Sequence, residues 1–170
     1  MVLAMFSLFG PVGLFFGIIR LLIGVSYCKG TSMYPTLENY SFMLVDGMLA
    51  NIRPRPFMRN EIVCLYRPKI QVGENEIPAA RVVKRIVAIE GDAVEIFDGD
   101  LYINLVKQEE SFTAEGAKYR IPLMRVADGH VLVLGDNRNE SFDGHNYGTV
   151  SMKRIIFRVV FKLKPFGPLR

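Results

Sequence analysis

Cysteine is scarce in this sequence: Cys28 and Cys64 are the only two in 170 residues. Two thiols so far apart define neither a metal site nor a disulfide framework; a single bridge between them stays open, and two separate, partly buried thiols are the plainer reading. Only two histidines occur, His130 and His145, and no spacing of cysteine and histidine suggests zinc. Charge of one sign is also limited, with a formal net charge of +4. That excess suits an anionic membrane surface at least as well as a polynucleotide. No recognition-helix pattern and no basic stretch interleaved with aromatics is present, which argues against nucleic acid. No internal repeat of fixed period is visible.

Charge is missing altogether from residues 1–19, MVLAMFSLFGPVGLFFGII, although half of the whole chain is apolar. At ~1.5 Å per residue, such a stretch comes close to the ~30 Å of a bilayer core. It has no basic leader region and no small-residue cleavage site, so a retained anchor helix is expected. Pro11 and Gly13 are tolerated in a membrane helix, where neighbouring groups satisfy the freed backbone. The alternative is an apolar hairpin in a soluble core. Arg20 and Lys29 follow the segment and nothing basic precedes it, so the positive-inside rule alone would put the body in the cytoplasm.

The rest of the chain reads as β. Residues 62–66, 80–89, 93–97, 101–104, 130–134 and 155–163 are short runs rich in β-branched and aromatic side chains. Asp98-Gly99 signals a tight hairpin, because glycine tolerates the positive φ that such a turn needs. Residues 105–120 are polar and charged and are expected to form an exposed excursion. The run KRIIFRVVFKLK suits an edge strand with a charged face, resting on lipid headgroups.

Three places could carry chemistry. The first is Gly30-Thr31-Ser32-Met33-Tyr34-Pro35-Thr36-Leu37, where glycine permits close backbone approach and Pro35 stiffens the exit. A nucleophilic serine needs such an exposed hydroxyl beside backbone N–H donors, although most serines in Gly/Pro turns do nothing else. The second is Lys84. On a strand over 80–89 it shares a face with Val82, Ile86 and Ala88, and apolar neighbours favour a neutral amine. A snorkelling or ion-paired lysine is the plainer alternative. The third is the run Val133 to Gly144, where an apolar strand ends in Gly135, Asp136, Asn137, Arg138, Asn139, Glu140, Ser141 and Asp143. These residues can cap backbone groups and orient another side chain. Their spacing lacks the register of a calcium loop, so no metal is expected.

In chain order these blocks resemble the type I signal peptidase family, membrane-bound serine proteases that remove targeting peptides from exported proteins. Ser32 to Leu37 matches the family's S-M-x-P-T-L in full. Val83 to Val87 followed by Glu90-Gly91-Asp92 is similar to the block around its base lysine, and Gly135 to Asp143 resembles its last box. The resemblance covers residues 27–164 and implies Ser32 as nucleophile and Lys84 as general base, with no metal and no cofactor. It implies that Ser141 positions the lysine amine and that Asp136 and Asp143 hold the loop together. The Ser32 N–H would be one oxyanion donor, and the backbone N–H of Gly30 would replace a side-chain donor used by many members. Relatives of the endoplasmic reticulum carry histidine where this chain has Lys84, so His130 and His145 are read as structural.

Two departures stand out. Asp143-Gly144-His145 replaces the usual Asp-Ser-Arg, as in cyanobacterial and plastid members, which puts an ion pair at Asp143 in question. Asn104-Leu105 replaces Asn-Gly, so a different hairpin loop is expected there. The resemblance further implies a mainly β fold, an antiparallel catalytic domain over 27–170 behind an anchor and link at 1–26. A small cap, at about 97–125, would be inserted in it. Expected partners are the lipid bilayer and preproteins with small residues at −1 and −3, and the expected place is the trans side of a bacterial plasma, thylakoid or mitochondrial inner membrane. The alternative is a non-catalytic or partner subunit of a signal peptidase complex.

Overall fold

Runs such as IVCLY and HVLVL lack helix-forming periodicity and present β-branched side chains to both faces, which favours sheet buried on both sides. The computed structural model describes residues 24–46, 56–72 and 74–164. The fold is mainly antiparallel β. The strands are β1 (Gly24–Cys28), β2 (Ser41–Val45), β3 (Ile62–Arg67), β4 (Ile70–Val72), β5 (Asn75–Ile77), β6 (Ala80–Ile89), β7 (Ala93–Phe97), β8 (Asp100–Ile103), β9 (Val106–Lys107), β10 (Ile121–Arg125), β11 (His130–Leu134), β12 (Val150–Ser151) and β13 (Ile155–Lys164). A one-turn helix, α1 (Gly144–Tyr147), follows β11. The segment read as an anchor, residues 1–19, lies outside the described residues. Among the described residues, no helix is long and apolar enough to cross a membrane.

Seven strands form the main sheet in the order β1-β2-β13-β3-β6-β11-β12, and four form a second sheet in the order β10-β7-β8-β9. The second sheet draws its strands from the stretch between Ala93 and Arg125. Val94, Ile96, Leu101 and Ile103 on one sheet pack with Val87, Ala88, Leu132 and Leu134 on the other. Each of the valines, leucines and isoleucines among them contributes about 1.5–3 kcal/mol by leaving water. A second cluster joins Val63, Leu65 and Ile86 to Val131 and Val133, and a third gathers Cys28, Met33, Leu37, Met43 and Ile62.

Four expectations need correction. The run expected as an edge strand is an inner one, since β13 pairs with β2 on one side and β3 on the other. Strict alternation along β6 fails after Ile86, because Ala88 faces Leu132 while Ile86 faces Val133. Val87 is the extra residue of a bulge, and so Val87 and Ala88 both turn toward the second sheet. The turn at Asn104-Leu105 keeps the two-residue form, with φ of 52° and 67°. Asn104 fixes it by accepting from the Ala93 N–H at 2.9 Å and donating to Asp92 Oδ1 at 3.2 Å. Leu105 is thereby drawn into the left-handed region that a glycine would occupy freely, with its side chain 77% exposed. Finally, residues 105–120 are not wholly exposed: Phe112 and Ala117 are buried, and Glu110 pairs with the buried Arg138.

Candidate active site

Ser32 sits in the turn that leaves β1. Gly30 takes φ of +113° there, and a Cβ would be strained in that conformation. The turn closes through the Tyr34 N–H to Thr31 O at 3.0 Å and the Leu37 N–H to Met33 O at 2.8 Å. Met33 and Leu37 are fully buried and pin the turn to the core, while Ser32, just before Met33, stays partly exposed. The loop after β11 holds the turn from the other side. Asn137 donates its backbone N–H to Ser32 O at 3.1 Å and its side-chain amide to Thr31 O at 3.2 Å.

Lys84 reaches this turn from the middle of β6. Its Nζ lies 2.7 Å from Ser32 Oγ, although the two residues are 52 apart in sequence. The side chain is 3% exposed. Burial pushes its pKa below the ordinary lysine value, against the pull of Asp143, Cys28 and Asp136 and with help from Arg67. A neutral amine at hydrogen-bond distance from a hydroxyl can accept its proton.

Gly135 explains how the third block approaches so closely. A Cβ there would lie 2.3 Å from Ser141 Oγ and 2.4 Å from Ser32 O. Only glycine lets these three segments meet. The Ser141 hydroxyl donates to Asp143 Oδ2, and among the described residues it is this carboxylate, not the Lys84 amine, that it engages. Asp143 Oδ2 also accepts from the Gly135 N–H at 2.7 Å, and Oδ1 lies 2.9 Å from His145 Nδ1. Burial alone would raise the Asp143 carboxyl; the contacts to His145, Ser141 and Gly135, with the charge of Lys84, hold it below the usual range. A histidine therefore stands against Asp143 where the family's arginine is missing. Gly144 is required beside it, since a Cβ would come within 2.6 Å of Leu132 Cδ1. His145 also stacks on Tyr119, ring centroids 3.9 Å apart. His130 sits away from this group, its Nδ1 2.9 Å from Asp128 O.

Asp136 meets Arg85, the residue next to Lys84. Arg85 Nε and Nη2 donate to the two Asp136 oxygens at 2.8 and 2.7 Å. The same guanidinium donates to Asn60 O at 2.8 Å and lies 3.8 Å from the Phe112 ring centroid. Arg138 likewise pairs with Glu110 at 2.5 Å and donates to Gly135 O at 3.2 Å. Sequence reasoning misses Arg85, Arg138, Glu110 and Phe112, because nothing in their spacing distinguishes them from surface charge and a stray aromatic. Gly30 differs from expectation too. Its N–H donates to Asn39 Oδ1 at 2.8 Å, so it is already engaged and not free for an oxyanion. The Ser32 N–H has no acceptor among the described residues.

Beside Ser32 and Lys84 opens a cleft of about 280 Å³, walled by Cys28, Cys64, Val82 and Val83. The two cysteines are unpaired and buried, and burial pushes the Cys64 thiol up to about 11. A family model described as "Signal peptidase, peptidase S26" matches residues 2–164. The chain belongs to this family. It is 38% identical over 141 residues to thylakoidal processing peptidase 1, chloroplastic, of Arabidopsis thaliana, covering 79% of this chain and 40% of that protein. It is 30% identical over 139 residues to probable signal peptidase I-1 of Synechocystis sp., covering 82% and 70%. The chain thus spans less than half the length of the thylakoidal relatives it matches, 40% and 36% of two of them. A crystal structure of a signal peptidase I from Enterococcus faecalis V583 superposes with a TM-score of 0.50 at 26% identity, over 59% of this chain and 94% of that one.

Proposed function

We propose that this signal peptidase family member is a membrane-anchored serine endopeptidase that removes targeting peptides from preproteins, with Ser32 as nucleophile and Lys84 as general base. The observation that carries the reading is the 2.7 Å contact between a buried amine and the hydroxyl of a glycine-flanked turn. Neutral Lys84 takes the proton from Ser32 Oγ as that oxygen attacks the scissile carbonyl. The Ser32 N–H donates to the oxygen that gains charge. The C–N bond breaks as the Lys84 ammonium returns the proton to the leaving amine, and an ester to Ser32 remains. Lys84 then takes a proton from water, which hydrolyses the ester and frees the serine.

An extended chain with small residues at −1 and −3 would lie in the cleft beside the dyad, against Cys28, Cys64, Val82 and Val83. Residues 1–19 would hold the domain at the bilayer. Relatives whose names place them in thylakoids and in the mitochondrial inner membrane support that reading. Asp136 and Asp143 brace the loop around the dyad, and Ser141 acts on the lysine through Asp143.

Cleavage of a preprotein with an Ala-X-Ala site, by the full chain in detergent, tests the assignment. Ser32→Ala and Lys84→Ala should each slow cleavage by roughly a thousandfold or more. The wild-type rate should rise with pH through the depressed Lys84 pKa, since only the neutral amine is a base. A folded wild-type chain that cleaves none of several preproteins would instead favour a partner subunit.

A further inference from the structure

The cleft beside Ser32 and Lys84 opens between two strand edges. β1 is the outermost strand of the main sheet, and its far edge has no strand partner among the described residues. β6 pairs with β3 from Ala80 to Arg85, but with β11 only from Arg85 onward. The β11 side of residues 81–84 is therefore open as well. Residues 26–29 from the first edge and 81–84 from the second line the cleft. Lys29 stands three positions before Ser32, and Arg81 stands three positions before Lys84. The two cations thus bracket the same stretch of the cleft from opposite sides.

Burial sorts the lining. Cys28 and Cys64 are buried, Val82 and Val83 are half-buried, and Lys29 and Arg81 are exposed at the rim. The lining holds no carboxylate, and among the described residues neither cation is in an ion pair. A cleft bordered by one sign of charge concentrates that potential on whatever enters it. An extended chain sends alternate side chains to opposite sides. If −1 and −3 face the buried walls, the −2 side chain points back to the rim. At ~3.3 Å per residue, −2 stands ~7 Å from the reacting carbonyl and Arg81 lies ~10 Å along β6 from Lys84. Long, flexible basic side chains span the difference.

We propose that Lys29 and Arg81 are specificity-determining residues, which favour preproteins carrying an acidic side chain at −2. This rests on the peptidase reading above and adds a charge preference to its substrates. Aspartate or glutamate at −2 meets two cations that have no acid of their own, whereas lysine there meets two like charges. The pairs are exposed to water, so the preference is modest and weakens with salt. An anionic lipid headgroup would also suit these cations, but its effect would not depend on the residue at −2.

The test is kcat/KM for cleavage by the full chain in detergent of one preprotein with Ala-Glu-Ala, Ala-Ala-Ala or Ala-Lys-Ala before the scissile bond. Wild type should prefer the Glu site over the Lys site by roughly tenfold at low salt, with Ala between them, and high salt should shrink the ratio. Arg81→Gln and Lys29→Gln should each lower that ratio by roughly threefold, and the double variant should bring it close to one. Arg81→Glu should turn the order round and favour the Lys site, an inversion that no loss of folding produces. The proposal is overturned if wild type cleaves the three sites equally. It is overturned equally if the neutral variants slow all three by the same factor, as a lipid contact or a structural role would. The Ser32→Ala chain separates the two readings: cleavage retained there removes the peptidase assignment and this proposal together. Cleavage that needs Ser32 but ignores the −2 residue removes this proposal alone.

Discussion

Lys84 and Arg85 are neighbours on one strand, both nearly inaccessible to water, yet their surroundings are opposite in kind. Arg85 is enclosed by acceptors: both Asp136 oxygens, Asn60 O and the Phe112 face. Lys84 faces a neutral hydroxyl, while the aspartate nearest in role, Asp143, is occupied by Ser141, His145 and the Gly135 N–H. Pairing fixes a charge in place and makes it a structural tie. Withholding the partner leaves an amine whose charged form is unfavourable, which is what a base requires. One loop supplies both conditions, because Asp136 pairs with the arginine and the Asp143 oxygens are taken up by Ser141, His145 and the Gly135 N–H.

The sharpest way to break this contrast is on the Arg85 side. Asp136→Ala leaves a buried guanidinium without its counter-ion, and the expected loss is about 3–5 kcal/mol of unfolding free energy. Chemical denaturation followed by circular dichroism reads it directly. A loss below about 1 kcal/mol would mean that Arg85 is held by Asn60 and Phe112 without needing the carboxylate.

On the Lys84 side the sign reverses. Lys84→Met removes the chemistry but should leave the fold as stable as wild type or more stable, by about 1–2 kcal/mol at neutral pH. The folded-state pKa of this lysine lies below its unfolded value, so the unfolded chain binds the proton more readily. The destabilisation is therefore complete below the folded pKa and fades as pH rises toward the unfolded one. The advantage of Lys84→Met should shrink along the same path in thermal melts taken at rising pH. An advantage that grows with pH would contradict a depressed lysine.

Much of this arrangement is legible in the amino-acid order. The β-branched runs bound the strands at 80–89, 93–97 and 130–134 correctly, and Asp98-Gly99 announces its hairpin, with φ of 51° and 86°. The meeting of Ser32 with Lys84 is implied by the family resemblance alone, since no periodicity links residues so far apart. What stays hidden is tertiary in origin. The bulge at Val87 comes from matching β6 to β11, and a single strand's alternation cannot announce it. Phe112 looks like a stray aromatic in a polar run because its partner, Arg85, is distant in sequence. The Asn104-Leu105 turn is easily misread because a leucine suggests avoidance of positive φ, whereas the Asn104 contacts to Ala93 and Asp92 impose it.

The smallest expected effect separates support from chemistry at Asp143. His145→Ala removes one contact to that carboxylate and the stack on Tyr119, without touching the Ser32–Lys84 pair. The Ser141 hydroxyl and the backbone N–H groups of Gly135 and His145 still donate to Asp143, so the loop should hold and cleavage should slow by roughly fivefold, about 1 kcal/mol at the barrier. With one donor gone, Asp143 offers more of its charge to Lys84, which favours the ammonium. The acid limb of the rate should then move slightly to higher pH. His145→Phe keeps an aromatic partner for Tyr119 and loses the contact to Asp143, so it should reproduce the limb shift with less loss of stability. Complete inactivity of a natively folded His145→Ala chain would instead make this histidine a participant in proton transfer, and the contrast between a paired arginine and an unpaired lysine would no longer account for the site.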